Sequence, residues 1–388
     1  MRSAAAADTY DVVVVGGGVA GVSVAYELAL DHTVLLVEME PTLGYHATGR
    51  SAAMYLETYG GPQVRALTIG SRAFLEDPPA GFDRTLMTPR PLLQIARSGR
   101  GEIIDALHEQ VRALVSDAST VDAAVAAQLC PILRPEAVAK GLFEPHAMEL
   151  DVHALHQGFV KGLRARGGTV VRRRPVEHLR QSDEGWQVHA ADGVVARGRV
   201  VVNAAGAWAD QVAKAAGCAP VGLSPRRRTI FTVPGDGAPQ DPLMPLLYDA
   251  EETFYVKPEG EQFLCSPADR TGCEPADVKP DTMEIARALD EIREVTTLAA
   301  RSVRTSWAGL RTFAPDEEFV VGFDPEADGF FWLAGQGGYG IQTAPATARL
   351  AASLVRGSQA PGDLTRLGLD APLLSPGRFR RPPWQHAR

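Results

Sequence analysis

The sequence predicts an α/β protein in which a Rossmann-like domain on a parallel sheet is interrupted by a second domain on a mostly antiparallel sheet. Three observations predict it. The chain opens with an apolar strand, a glycine turn, a helical stretch and a second strand, the order of a β-α-β unit. Two further strand-to-helix junctions rich in small residues follow, at Asn203 and at Gly335, and such junctions gather at the carboxyl edge of one sheet. Between them residues 88–94 and 224–234 are rich in Pro and Arg, and residues 253–264 in β-branched and aromatic side chains. The expected first domain is therefore discontinuous, 1–84, 146–211 and 320–388, and 85–145 and 212–319 form the second.

Each element has a local reason. Residues 10–15 are an apolar, β-branched run; Gly16-Gly17-Gly18-Val19-Ala20-Gly21 follows, then a helical pattern to Leu30 and a second strand over 33–37 that ends at Glu38. Gly16 permits the tight turn, Gly18 lets a pyrophosphate approach the backbone, and Gly21 lets helix and strand pack closely. Glu38, about 20 residues beyond the turn, is placed to accept from ribose hydroxyls. These residues together specify a dinucleotide site. The strand over 200–202 runs into Asn203-Ala204-Ala205-Gly206-Ala207-Trp208 and a helix to Ala216. The last strand, 330–334, feeds Gly335-Gln336-Gly337-Gly338-Tyr339-Gly340 and a helix from near Thr343 through Val355. That helix is expected to aim free N–H groups and its positive dipole end at the ligand. The tail from Leu373 is Pro/Arg-rich and expected to be poorly ordered.

Composition narrows the class. With 388 residues, 45% of them hydrophobic, the chain can bury a sizeable core, which excludes a disordered chain or a small disulfide scaffold. The net charge of −8 disfavours nucleic acid or an anionic lipid surface as main partner. Cys130, Cys218, Cys265 and Cys273 show neither Cys-x-x-Cys nor zinc-like spacing, so free thiols in a reducing cytoplasm and no metal are expected. Residues 1–8 are too short an apolar stretch for a signal peptide, and no run of about 18 apolar residues occurs. The expectation is a cytoplasmic protein without an integral membrane segment, peripheral attachment being left open.

The opening motif does not choose between NAD and FAD, but the segment after Glu38 does. Residues 40–53 are a long stretch of small and hydroxyl residues, suited to wrapping an extended ligand, where an NAD domain returns directly to helix and strand. Five separated segments stand in order along the chain: Tyr45-His-Ala-Thr-Gly-Arg-Ser-Ala-Ala53, Pro78-Pro-Ala-Gly-Phe82, Asn203 to Trp208, Trp307-Ala-Gly-Leu-Arg311 and Gln336-Gly-Gly-Tyr-Gly-Ile-Gln-Thr343. With these the sequence resembles the D-amino-acid oxidase superfamily, and within it FAD-dependent D-amino acid dehydrogenases of the D-arginine dehydrogenase type. The resemblance covers nearly the whole chain and implies a D-amino-acid oxidase/glutathione-reductase-like fold with bound FAD. It places Ser51 and Ala52 along the flavin, Val176 at the adenine and Ala207 near the phosphates. Val19, Ala20, Met39, His46, Thr48, Arg50, Ala204, Gly206, Trp208, Gly309, Gly335, Gly337, Gly338, Tyr339, Gly340, Ile341 and Gln342 complete the expected cofactor set. Where some relatives attach flavin through cysteine this chain has Gly309, so FAD is expected to be non-covalent. His46 is read as fixing the flavin loop rather than relaying a proton, and His153 and His156 as packing residues.

An amino acid bound for oxidation needs its carboxylate held, and a guanidinium fork suits that task. The resemblance selects Arg311, Arg228 and Tyr255 as carboxylate anchors and Tyr59 as a residue lying over the site, leaving Arg226 and Arg227 as surface charges. It implies oxidation of a D-amino acid to the imino acid by hydride transfer from Cα to flavin N5, with oxygen or a quinone as acceptor. Arginine-preferring members carry a carboxylate and a histidine where this chain has Leu92 and Met54, and Leu56 replaces a hydroxyl residue. Three apolar side chains would leave a basic group unpaired. The pocket, completed by Gly338 and Gln342, is therefore expected to prefer apolar substrates, with the direction of Glu57 left open. The alternatives are an N-methyl or cyclic secondary amino acid as substrate, as in sarcosine or glycine oxidases, and a non-catalytic flavin subunit.

Overall fold

The computed structural model describes residues 8–380 apart from 83, 236, 239, 240 and 242. Five parallel strands, in the order Thr169–Val171, Val34–Val37, Thr9–Val15, Gly193–Asn203 and Phe330–Ala334, form the centre of the first sheet. Val12 to Val15, Val34 to Val37 and Phe330 to Ala334 are buried, as near-continuous apolar strands in a sheet covered on both faces should be. Val320–Phe323 and the His178–Ser182 and Gly185–Ala190 hairpin add antiparallel edges. The expected strands match those of the structure to within one residue at the first two junctions, and the strand over 200–202 is the end of a longer one.

Helix Val19–Leu28 packs between this sheet and helices Val152–Ala165 and Ala344–Val355. The Val152–Ala165 helix gives up side chains at Gly158 and Gly162, and the rings of Phe82 and Tyr26 fill the space a Cβ would take. Asp151 caps it, accepting from Ala154 N at 2.7 Å, which satisfies one of the free donors of its first turn.

The second sheet runs Gln336–Gly337, Thr305–Phe313, Ser224–Pro234, Gln262–Ser266, Tyr255–Glu259, Leu246–Asp249, Leu92–Arg97, Val138–Glu144 and Ser119–Asp122. Only the pairing of Leu246–Asp249 with Leu92–Arg97 is parallel. Side chains alternate across it. Leu93, Leu247, Val256 and Phe231 enter a core under helix Thr282–Val295, while Leu92, Tyr248, Tyr255 and Arg228 face the first sheet. A small third sheet, Met54–Tyr55, Met148–Leu150 and Met87–Pro89, ties the segments together.

The tail departs from expectation as far as it is described. Ala371–Leu374 and Pro376–Phe379 are helical turns, Leu374 and Pro376 are buried, and Arg378 and Arg380 pair with Asp316 and Asp324. Two bidentate or half-buried ion pairs and a buried leucine hold this segment, which composition alone does not reveal. Residues 381–388 of the tail, and residues 1–7 of the stretch read as too short for a signal peptide, lie outside the described residues. Among the described residues no helix is long and apolar enough to cross a membrane.

Candidate functional site

A cavity of about 600 Å³ lies between the carboxyl edge of the parallel sheet and the exposed face of the antiparallel one. The three strand-to-helix junctions all reach it, through Gly16 to Ala20, Ala204 to Trp208, and Gln336 to Gln342. Gly16 has φ +111°, and a methyl on it would overlap the Ala204 carbonyl; one on Gly21 would overlap the Gly16 carbonyl. Gly16 therefore makes the turn, and Gly21 acts through packing without lining the cavity. His156 is buried and its Nε2 lies 3.0 Å from the Gly17 carbonyl, so it braces the glycine turn.

Glu38 is buried, and its two oxygens accept from Gly17 N at 2.6 Å and Glu40 N at 2.8 Å. A carboxylate has about four lone-pair sites, so two remain for ribose hydroxyls. Thr48 accepts from Val19 N at 2.9 Å, Ser51 donates to Ala47 O at 2.8 Å, and His46 bonds Glu40 at 2.9 Å with its ring 4.5 Å from that of Trp208. His46 thus fixes its loop. Arg50 spans the loop and the second sheet, donating to Ala308 O at 2.9 Å and pairing with Asp277 at 2.6 Å. Met39, Ala52, Val176 and Gly309 also line this wall, with Arg174, Pro175 and Glu177 flanking Val176. A glycine cradle at a helix N-terminus without a side-chain cap, a carboxylate with spare lone pairs and a wrapped loop fit FAD.

The last glycine loop serves differently from expectation. The first-turn donors of helix Ala344–Val355 are used: Ala344 N bonds Ile341 O, Ala346 N bonds Ser71 Oγ at 3.1 Å, and Pro345 has no N–H. The turn before it, Tyr339 to Thr343, is already wound, and Gly340, Ile341 and Gln342, whose backbone N–H groups have no backbone partner among the described residues, line the cavity. Gly335 and Tyr339 lie outside the lining: Gly335 turns against Val320, and Tyr339 meets Tyr59 edge to face with centroids 4.7 Å apart. The Gln342 amide is spent on Thr68 Oγ1 at 2.8 Å and Leu56 N at 3.2 Å, so it holds the Leu56 segment rather than meeting a ligand through its side chain.

Arg311 and Arg228 enter the opposite wall from neighbouring strands. Arg311 donates to Tyr59 Oη at 3.2 Å and lies over Gly338, where a Cβ would stand 2.9 Å from its Nη1. Arg228 is buried and its Nε has no partner. Among the described residues neither guanidinium pairs with a carboxylate. Burial draws Arg228 below its ordinary range and the charge of Arg311 draws it further; burial also opposes Arg311, but the oxygens of Tyr59, Tyr255 and Tyr248 outweigh it and hold Arg311 high. Two cations without carboxylate partners among the described residues, one buried and one half-buried on the cavity wall, make an anion site. Arg226 and Arg227 are not plain surface charges: Arg226 lies over the Phe313 ring and pairs with Glu317, and Arg227 bridges Asp269 and Asp281.

Met54, Leu56 and Leu92 line the cavity beside these cations, together with Ile230 and Leu246. Glu57 faces away, accepting from Tyr55 Oη and from Arg72 Nη1, each at 2.8 Å. Tyr248, Gln94, Ile230, Leu246 and Lys257 are lining residues that the motifs did not single out. Their signal is alternation in register with Tyr255 and Arg228, readable only once strand pairing is known. Lys257 is neutralised by Glu149 and Glu259.

The model of the FAD dependent oxidoreductase family DAO matches residues 11–354, and the chain belongs to that family, with FAD as its cofactor. It is 26% identical to FAD-dependent oxidoreductase domain-containing protein 1 of Bos taurus, over 89% of this chain and 81% of that protein. Glycine oxidase of Geobacillus kaustophilus is 25% identical over 93% and 96%. Mitochondrial dimethylglycine dehydrogenase of Rattus norvegicus is 26% identical over 93% of this chain, which spans 44% of that protein. Among solved structures, the Geobacillus kaustophilus glycine oxidase superposes with TM-score 0.81 at 22% identity over 94% and 99% of the two chains. L-proline dehydrogenase from P. horikoshii does so with TM-score 0.83 at 18% identity over 97% and 99%.

Proposed function

We propose that this chain oxidises the carbon–nitrogen bond of an amino acid whose carboxylate is held by Arg311 and Arg228 and whose remaining substituent is apolar. The observation that carries the proposal is the pair of guanidiniums, one buried and one half-buried, without carboxylate partners among the described residues, on the wall of a cavity that Met54, Leu56 and Leu92 also line. FAD, when bound, supplies the two-electron acceptor. The side chains orient and select. A guanidinium binds carboxylate in a fixed fork, and Tyr59, which accepts from Arg311, keeps that fork in place. Tyr255 stands beside them as a further donor. One carboxylate leaves the two guanidiniums with net positive charge, which favours the neutral over the protonated substrate amine. The substrate gives up a hydride from carbon, which carries the two electrons, and a proton from nitrogen; the C=N product is then hydrolysed by water. The same residues that would hold FAD, Gly16, Gly18, Glu38, Thr48, Ser51 and Ala52, hold it non-covalently in this reading, since Gly309 offers no nucleophile.

Two substrate readings share this chemistry. A D-amino acid with an apolar side chain rests on the motif likeness to D-arginine dehydrogenase-type enzymes. An N-methyl or cyclic secondary amino acid, or glycine itself, is favoured by relatives named for glycine, dimethylglycine and L-proline. The test is anaerobic bleaching of bound flavin near 450 nm, the oxidised-flavin band, by D-alanine, D-leucine, D-arginine, sarcosine and L-proline. Bleaching by D-leucine but not D-arginine supports the first, and by sarcosine or proline alone the second. Silence across a full amino-acid panel overturns the proposal and leaves a non-catalytic flavin subunit.

A further inference from the structure

Tyr248 stands directly opposite Tyr255 in the antiparallel register, so both side chains leave the same face of the sheet. Their rings lie 18° from parallel with centroids 6.1 Å apart. Tyr255 is buried, which makes the stacked pair a rigid unit rather than a mobile lid. The register also orders the cavity floor. Ile230, Ser266, Tyr255, Tyr248 and Gln94 form one transverse row, as the pairings of Phe231 with Cys265, Tyr255 with Ser266 and Tyr248 with Gln94 require. Arg228 lies two residues to one side of that row, and Leu246 and Leu92 two residues to the other, each step being about 7 Å along a strand. A substituent on an anchored amino acid that extends toward the leucines therefore has to pass Tyr248. Tyr248 packs with Leu92, Leu246, Met54 and Leu56 in one apolar cluster, and its hydroxyl makes no hydrogen bond among the described residues.

We propose that Tyr248 is the residue that sets substrate size, closing the leucine end of the cavity to all but small apolar substituents of about alanine, N-methyl or proline dimensions. The proposal rests on the reading of Arg311 and Arg228 as a carboxylate anchor. Truncating Tyr248 joins the leucine row to the anchor and admits longer aliphatic chains.

The test is binding rather than turnover. Holoenzyme is titrated with acetate and with 4-methylpentanoate, following the visible spectrum of bound FAD, in wild type and in Tyr248→Ala, Tyr248→Leu and Tyr248→Phe. Wild type is expected to bind acetate at least as tightly as the longer acid. Tyr248→Ala should shift the ratio of dissociation constants at least tenfold toward 4-methylpentanoate, Tyr248→Leu should shift it by less, and Tyr248→Phe should keep the wild-type ratio. A ratio within twofold of wild type in both Tyr248→Ala and Tyr248→Leu, with acetate still bound, overturns the size filter and leaves the anchor standing. Failure of wild type to bind either acid overturns the anchor, and the filter with it. Retained yellow colour and unfolding temperature show that each variant is folded.

Discussion

The two walls of the cavity are built by opposite means. The parallel-sheet wall recognises through main chain: glycines bring backbone close, loop amides are left unpaired, and the few side chains, Glu38 and Thr48, spend themselves partly on holding the loops. The antiparallel wall recognises through side chains set at alternate positions of five strands, two of them cations without carboxylate partners among the described residues. A main-chain site tolerates little change in shape, whereas a side-chain site can change ligand by single substitutions without altering the sheet. The contrast predicts graded effects.

The largest should follow from Arg311→Ala, which removes the fork from the side-chain wall. Loss of a buried charged partner costs about 2–5 kcal/mol, so kcat/KM for the best substrate should fall by between about thirtyfold and several thousandfold, with flavin content unchanged. A variant that instead loses its flavin would show that the two walls are not separable. Gly16→Ala is the matching change on the main-chain wall. At φ +111° and against the Ala204 carbonyl, the methyl should cost about 1–3 kcal/mol of stability and yield protein purified with little flavin. Absorbance of the bound cofactor and thermal unfolding report both.

Leu92→Glu tests whether the side-chain wall can be retuned. Placed in the Tyr248→Ala background, which opens the leucine row, a carboxylate at this position should raise the ratio of kcat/KM for D-arginine over D-leucine by at least tenfold relative to Tyr248→Ala alone, while Gly16-dependent flavin binding stays as it was. Unchanged selectivity would mean that Leu92 does not meet the substrate. Glu144, which stands opposite Leu92 in the register but does not line the cavity, provides a pH test. Burial pushes its carboxyl up to about 7, with the Thr58 hydroxyl donating to both oxygens at 2.9 and 3.0 Å. The folded state therefore binds the proton more tightly than the unfolded state. Its contribution is present below pH about 4.5 and is lost as pH rises through about 7, by roughly 3–4 kcal/mol in all. Thermal unfolding from pH 5 to 8 should show this fall in wild type and lose it in Glu144→Gln. The smallest effect belongs to Glu57→Gln: the carboxylate faces Arg72 and Tyr55, so substrate selectivity should stay within about twofold while stability drops by about 0.5–1.5 kcal/mol.

The main-chain wall was the legible one. A turn that demands glycine at positive φ, a helix start and an acid at the next strand end are local requirements, so Gly16, Gly21 and Glu38 are readable from spacing alone. The side-chain wall was legible only where a charge stood out. Arg228 and Arg311 were found, but Tyr248, Leu246 and Ile230 carry no mark of their own until the strands are paired. Arg227 shows the same limit in reverse: its partners Asp269 and Asp281 lie 42 and 54 residues away, so a half-buried bridge reads as surface. The Ala344 helix misled for a third reason, because whether a first-turn amide is free depends on the Ser71 hydroxyl from another helix. Glu57 was undecidable from sequence since Tyr55 and Arg72 claim it only once folded.

Gly338 belongs to the main-chain wall, yet the space where its side chain would begin is taken by the guanidinium of Arg311. Any L-residue at 338 displaces the anchor first and the loop second. Positions 338 and 311 are thus bound in descent: a lineage that abandons the arginine frees the glycine to drift, while one that keeps it cannot. A change of ligand chemistry on the floor of this fold should therefore leave its earliest trace in a loop that belongs to the opposite wall.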